Sequence, residues 1–221
     1  MLFNLDPSTL IARAIVLLIA FSVHEFAHAW AANSFGDNTP KANGRLTLNP
    51  LSHLDPMGSL LLLVAGFGWA KPVPVNAYAL QRRSPAALMW VSLAGPMSNL
   101  IMAVVAAIPF RLGFISVYAA QYDAYLRGSA LLPTVPQLMW EFIAINLLLM
   151  LFNLLPIAPL DGEKIATYFF PPAWTDVLDR IRPYGPLILM GVIFIGPMFN
   201  LNIIGWLIGQ PLQALLALLV G

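Results

Sequence analysis

The chain has 221 residues, 59% hydrophobic and only 10% charged, with a formal net charge of +1. Soluble domains average about 25% charged residues, so the composition excludes an ordinary water-soluble globule and points to a chain that crosses a bilayer several times. The balanced charge offers no basic surface for nucleic acid and no acidic tail, and the absence of cysteine excludes disulfides and thiolate metal ligands.

Asp6-Pro7 reads as an N-cap followed by proline at the first helical position. Leu10 to Ala32 is then apolar for long enough to cross a hydrocarbon core of about 30 Å. No basic cluster precedes this run, so it is expected to be a retained span rather than a cleaved signal peptide. Gly44–Asn49 (GRLTLN) alternates and predicts a short strand. Asp55-Pro56 caps a further apolar run, Met57 to Phe67, too short to span and expected to be re-entrant or buried. Lys71–Leu80 (KPVPVNAYAL) is expected to be extended, because proline disfavours helix at the residue before it. Its two prolines restrict it to an edge strand or no strand at all.

Ser84-Pro85 caps a second long run, Ala86 to about Arg111. Residues 112–136 read as a loop with a partial helix, and Gln137–Leu155 as a third run. Residues 156–183 hold prolines and most of the C-terminal charge. Leu187–Val220 is apolar but interrupted at Gly196-Pro197 and FNLN, so it is either one kinked span or a span plus a shorter helix. The expected fold is an all-α polytopic membrane protein, a single domain over 1–221. It has four to six spanning or half-spanning helices and a small membrane-associated β-sheet between the first two long spans.

Lysine and arginine collect in two loops: Lys41, Arg45, Lys71, Arg82 and Arg83 in one, Lys164, Arg180 and Arg182 in the other. The positive-inside rule places both loops in the cytosol and the N-terminus outside; Arg13 lies on the wrong side for this rule.

Chemistry enters at Ser22–Trp30 (SVHEFAHAW), which contains His-Glu-x-x-His. Positions i and i+4 share a helical face, so His24 and His28 can reach one metal ion, while Glu25 lies about a quarter-turn away. That is the zincin arrangement of two His ligands, a Glu general base and an open position for water. The pattern also occurs by chance in soluble helices. Inside an apolar span each ionisable group costs about 2.5–3.5 kcal/mol on insertion scales, so three within five residues argue for function. A catalytic zinc usually takes a third protein ligand. No histidine follows His53, so the candidates are carboxylates: Asp161 in a Pro- and Gly-bounded turn, then Glu163, then Asp55.

HEFAH together with NLLPIAPLDG (Asn153–Gly162) resembles the site-2 proteases, the intramembrane zinc metalloproteases, whose second signature is N-x-x-P-x-x-P-x-D-G. GRLTLNPLSHLDPMGSL and AGPMSNL (Ala94–Leu100) are also similar to that family, in particular to its small prokaryotic branch without PDZ or CBS domains. The resemblance runs from about residue 15 to 168. It implies one zinc ion held by His24, His28 and Asp161, and Glu25 as the base. It further implies a multi-pass protein of a prokaryotic cell membrane, with its motifs towards the cytosolic side.

The implied activity is cleavage of transmembrane segments of membrane-protein substrates in the lipid bilayer, as in regulated intramembrane proteolysis. The sheet edge of GRLTLN and KPVPVN would hold the unwound substrate. Asn153 matches the signature's Asn and reads either as a substrate or oxyanion donor or as a helix-closing residue. Asn99 reads as helix packing or as a support to the metal ligands, with Gly95 allowing close helix approach; His53 reads as a structural hydrogen-bonding residue or as a loop residue near and supporting the site. Two rivals come from other classes. A membrane di-iron oxygenase needs more histidines than the three present. A non-catalytic metal-binding protein or protease-like chaperone has no use for Glu25.

Overall fold

The computed structural model describes residues 6–58, 68–127, 131–199 and 201–221. Helix α1 (Pro7–Ser34) starts where Asp6 accepts from the Thr9 amide and Pro7 occupies the first turn. Helices α2 (Ala77–Arg83), α3 (Ala87–Arg111), α4 (Val117–Arg127) and α5 (Val135–Asn153) follow, then α6 (Asp161–Phe169), α7 (Pro172–Ile181) and α8 (Ile203–Val220). Four of them, α1, α3, α5 and α8, are long and apolar enough to cross a membrane.

Side-chain pairs fix how the helices run. Ser8 meets Gln137 and Arg13 meets Glu141 near the starts of α1 and α5, while His24 and His28 in the second half of α1 meet Asp161, just beyond the end of α5. These two helices are therefore parallel. Helix α3 runs against them, since His28 approaches Val91 and the earlier His24 approaches the later Asn99. The end of α1, the start of α3 and the end of α5 thus share one side of the bundle. The Arg13–Glu141 pair, at 3.0 Å, explains why an arginine is tolerated on the side opposite the basic loops.

Packing follows membrane-protein rules. The buried stripe of α1 is built from small residues, including Ala12, Ala20, Ala29 and Ala32, whereas Ile15, Leu18 and Ile19 face outward. Small interfacial residues let helix backbones approach closely when lipid is as apolar as the core. A second cluster joins α3, α5 and α8 through Ala103, Ala107, Phe110, Ile143, Leu147 and Val220. Arg111 donates to the Leu218 and Leu219 carbonyls and closes the C-terminal end of α8.

Several expectations need correction. The sheet is absent: among the described residues the only β-type pairing is an isolated bridge between Leu54 and Ala70. GRLTLN forms no strand: His53 takes its Thr47 carbonyl, and the Arg45 side chain reaches out of it to the Ser52 and Lys71 carbonyls. KPVPVN lies in no strand: Lys71 N donates to His53 O beside the Leu54–Ala70 bridge, and Pro72 and Pro74 have no amide to donate. The extended stretch also ends earlier than expected, since Asn76 accepts from the Ala79 amide and starts α2. Asp161 is not in a free turn but is the first residue of α6. For the C-terminal run, the divided alternative is the one seen: an α, π and 3-10 stretch over 185–199 and the separate helix α8. Asp55 caps the start of the Met57–Phe67 run through the Gly58 amide; most of that run lies outside the described residues.

Candidate metal centre

His24, His28 and Asp161 are buried and converge. The two Nε2 atoms are 3.0 Å apart, and each is 3.2 Å from Asp161 Oδ2. The geometry is assembled from three elements. Helix α1 supplies both imidazoles one turn apart. Helix α3 passes close enough to touch them because position 95 is glycine: a Cβ there would lie 2.4 Å from His28 Nε2 and 2.6 Å from His24 Cε1. Helix α6 brings Asp161, and it too depends on a glycine, since a Cβ on Gly162 would lie 2.3 Å from the Leu154 carbonyl oxygen at the end of α5.

The far side of each ring sets its tautomer. His28 Nδ1 is 2.7 Å from the Val91 carbonyl, which can only accept, so Nδ1 carries the hydrogen. For His24 the reasoning runs through two amides. Asn146 Nδ2 donates to the Phe142 carbonyl at 2.8 Å, which turns Asn146 Oδ1 towards Asn99 Nδ2, again 2.8 Å away. Asn99 Oδ1 is then left facing His24 Nδ1 at 2.6 Å, and that nitrogen is the donor. Both Nε2 atoms are consequently lone-pair acceptors.

Three electron-pair donors therefore face one another in a buried site, an arrangement that a cation satisfies. Ligand atoms around a tetrahedral zinc with bonds of about 2.0 Å lie about 3.3 Å apart, close to the 3.0 and 3.2 Å seen here. The donor set fits zinc in chemistry and in spacing.

The other sequence candidates lie elsewhere. Glu163, although buried two residues from Asp161, turns to Arg182, with Arg182 Nε at 2.9 Å from Oε1. Asp55 caps a helix. His53 is 1% exposed and bonds Thr47 O through Nε2, while its Nδ1 is buried without a partner. Asn153 donates to Leu149 O at 3.0 Å, closing the last turn of α5. Glu25 is buried beside the two histidines in sequence, and its Oε2 accepts from the Val73 amide at 3.1 Å. Neither Asn146 nor the Val73 amide was singled out from sequence. Asn146 had a usable signal, a carboxamide inside an apolar span; Val73 had none.

A set of two histidines and one carboxylate packed between membrane-length helices defines a class: an integral membrane protein with a candidate metal centre at its helix crossing. Comparison with known proteins narrows it. Residues 12–175 match the family model described as Peptidase family M50. The chain is 42% identical over 184 residues to YwhC of Bacillus subtilis, a protein provisionally named a zinc metalloprotease; the match covers 83% of this chain and 80% of that one. It is 33% identical over 191 residues to Rip2 of Mycolicibacterium smegmatis, named in the same provisional way, covering 83% of this chain and 66% of Rip2. Rip2 of Mycobacterium tuberculosis is 31% identical over 195 residues, covering 87% and 68%. No solved structure matches. The chain belongs to peptidase family M50, the site-2 proteases, whose metal is zinc.

Proposed function

We propose that this protein is an intramembrane zinc endopeptidase that cleaves transmembrane segments of other membrane proteins, with its site towards the cytosolic face of a prokaryotic cell membrane. The convergence of His24, His28 and Asp161 in a family M50 chain carries this reading. His24 and His28 hold the zinc through Nε2 and Asp161 through its carboxylate. Asn99 and the Val91 carbonyl keep both rings in the ligating tautomer. When bound, zinc supplies Lewis acidity towards water and the scissile carbonyl.

Glu25 is the general base. It takes a proton from the attacking water as the new carbon–oxygen bond forms, then passes it to the amine that leaves when the peptide C–N bond breaks. The proton must be handed on because the amide nitrogen would otherwise leave as an anion; protonated by Glu25, it departs as a neutral amine. The substrate segment must unwind first, because a helical backbone ties up its carbonyls in hydrogen bonds.

Metal analysis of the purified wild type beside Asp161→Ala and Glu163→Ala tests the ligand set. Asp161→Ala is expected to lose most bound zinc and all cleavage, and Glu163→Ala to keep its zinc. Full zinc occupancy in Asp161→Ala would contradict the assignment.

A further inference from the structure

The segment that touches Glu25 is held at both ends. In Lys71-Pro72-Val73-Pro74 neither proline has an amide hydrogen, so the Val73 N–H is the donor that stretch can offer to Glu25. Upstream, Arg45 donates to the Lys71 carbonyl at 3.3 Å and to the Ser52 carbonyl, and Lys71 N donates to His53 O at 2.8 Å. Downstream, the Asn76 amide donates to Asp37 Oδ2 at 2.7 Å. Asp37 Oδ1 is fixed in turn by the Thr39 amide at 2.9 Å. Both clamp residues are buried, Arg45 at 5% and Asp37 at 3% exposure. Among the described residues neither makes an ion pair. Burying a charge whose partners are only backbone groups is costly. Spending two of them on one six-residue segment calls for a role beyond shaping a loop.

We infer that Arg45 and Asp37 are positioning residues: they hold the Lys71–Asn76 segment so that the Val73 N–H fixes the orientation of the Glu25 carboxylate. The inference rests on the reading of Glu25 as the base. Neither residue touches substrate or metal. Asp37 follows directly from the helix that carries Glu25, and Arg45 follows from the next turn. The base and the amide that orients it are thereby tied into one unit. A carboxylate anchored through one oxygen presents the other towards water with little rotational freedom, so loss of the anchor reduces turnover rather than binding.

The test uses the full chain, zinc-loaded in lipid nanodiscs, and a fluorogenic peptide with a single apolar span that the wild type cleaves. Arg45→Met and Asp37→Ala are expected to retain zinc, to lose hydrogen-exchange protection at the Val73 amide, and to lower kcat by about 10-fold or more with KM little changed. Arg45→Lys restores part of the loss, which a merely space-filling role would not require. Val73→Pro deletes the N–H with both clamps intact; it gives the same fall in kcat, and adding Asp37→Ala lowers it no further. Asp37→Ala and Val73→Pro keep the inference testable if Arg45→Met fails to fold. A Val73 amide still protected in the clamp variants, or full kcat despite its free exchange, would overturn the inference. Glu25→Gln keeps an acceptor oxygen, so the amide stays protected while turnover collapses. Near-normal turnover in that variant would instead overturn the general-base reading, and the two failures are thus distinguishable.

Discussion

Asn99 Oδ1 lies 2.6 Å from His24 Nδ1, and Asn99 itself is fully buried. This contact decides which ring nitrogen of His24 can bind metal. Groups that orient a metal-bound histidine typically contribute about 10–100-fold to affinity or activity. Asn99→Ala is expected to weaken zinc binding by about that factor, read by competition with a chromophoric chelator. Asn146→Leu, one step further along the relay, is expected to have a smaller effect in the same direction.

Gly95 sets the closest approach of α3 to the site. A methyl group at 2.4 Å from His28 Nε2 overlaps the ring, and neither a helix backbone nor a ligating imidazole can shift without losing the convergence. Gly95→Ala is expected to abolish zinc binding and cleavage while circular dichroism stays near wild type. Gly36→Ala has open space around it but a φ of +87°, so it is expected to lower stability modestly and leave zinc in place.

Asp37 carries a pH signature. Burial alone would raise its pKa, but hydrogen bonds from Thr39 and Asn76 outweigh that and lower it below the ordinary 3.8. A depressed folded-state pKa gives stability that is present above the unfolded value and lost as pH falls through the folded one. Protection of the Asn76 amide in the wild type is therefore expected to hold near pH 6 and to decline below about pH 4. In Asp37→Ala it is expected to be low throughout. Hydrogen exchange across pH 3–7 checks this.

Orientation follows from the bundle. His24 and His28 meet Asp161, so the end of α1 and the end of α5 must lie on one side, and by the positive-inside rule the basic loops on that side are expected to face the cytosol. A reporter inserted after Thr167 is expected to report cytoplasm and one near Ala124 the outside. A cytosolic signal at Ala124 would contradict the assignment.

Much of this was legible in the sequence because two rules are strong there. Length and apolarity marked α1, α3 and α5, and Asp6-Pro7 fixed the start of α1. The i, i+4 spacing put His24 and His28 on one face. Residue chemistry alone left Asp161, Glu163 and Asp55 open, because nothing local records that Glu163 faces Arg182 or that Asp55 caps a turn. The family signature, rather than any pattern in spacing, singled out Asp161. The expected sheet failed for a reason no local pattern carries: alternation in GRLTLN was read as strand, but His53 takes its Thr47 carbonyl and Arg45 turns out of it to the Ser52 carbonyl. The role of Val73 was invisible for the same reason, since a backbone amide has no sequence signature.

The measurement closest to the central claim is zinc content and cleavage in Glu25→Gln. The substitution keeps the size of the side chain and its acceptor oxygen but removes the basic group. With His24, His28 and Asp161 intact, zinc is expected to stay at one per chain. Turnover is expected to fall by at least about 10²–10⁴-fold, the usual cost of losing a general base, and uncleaved substrate is expected to co-purify with the variant. Near-normal cleavage by zinc-loaded Glu25→Gln would contradict the account.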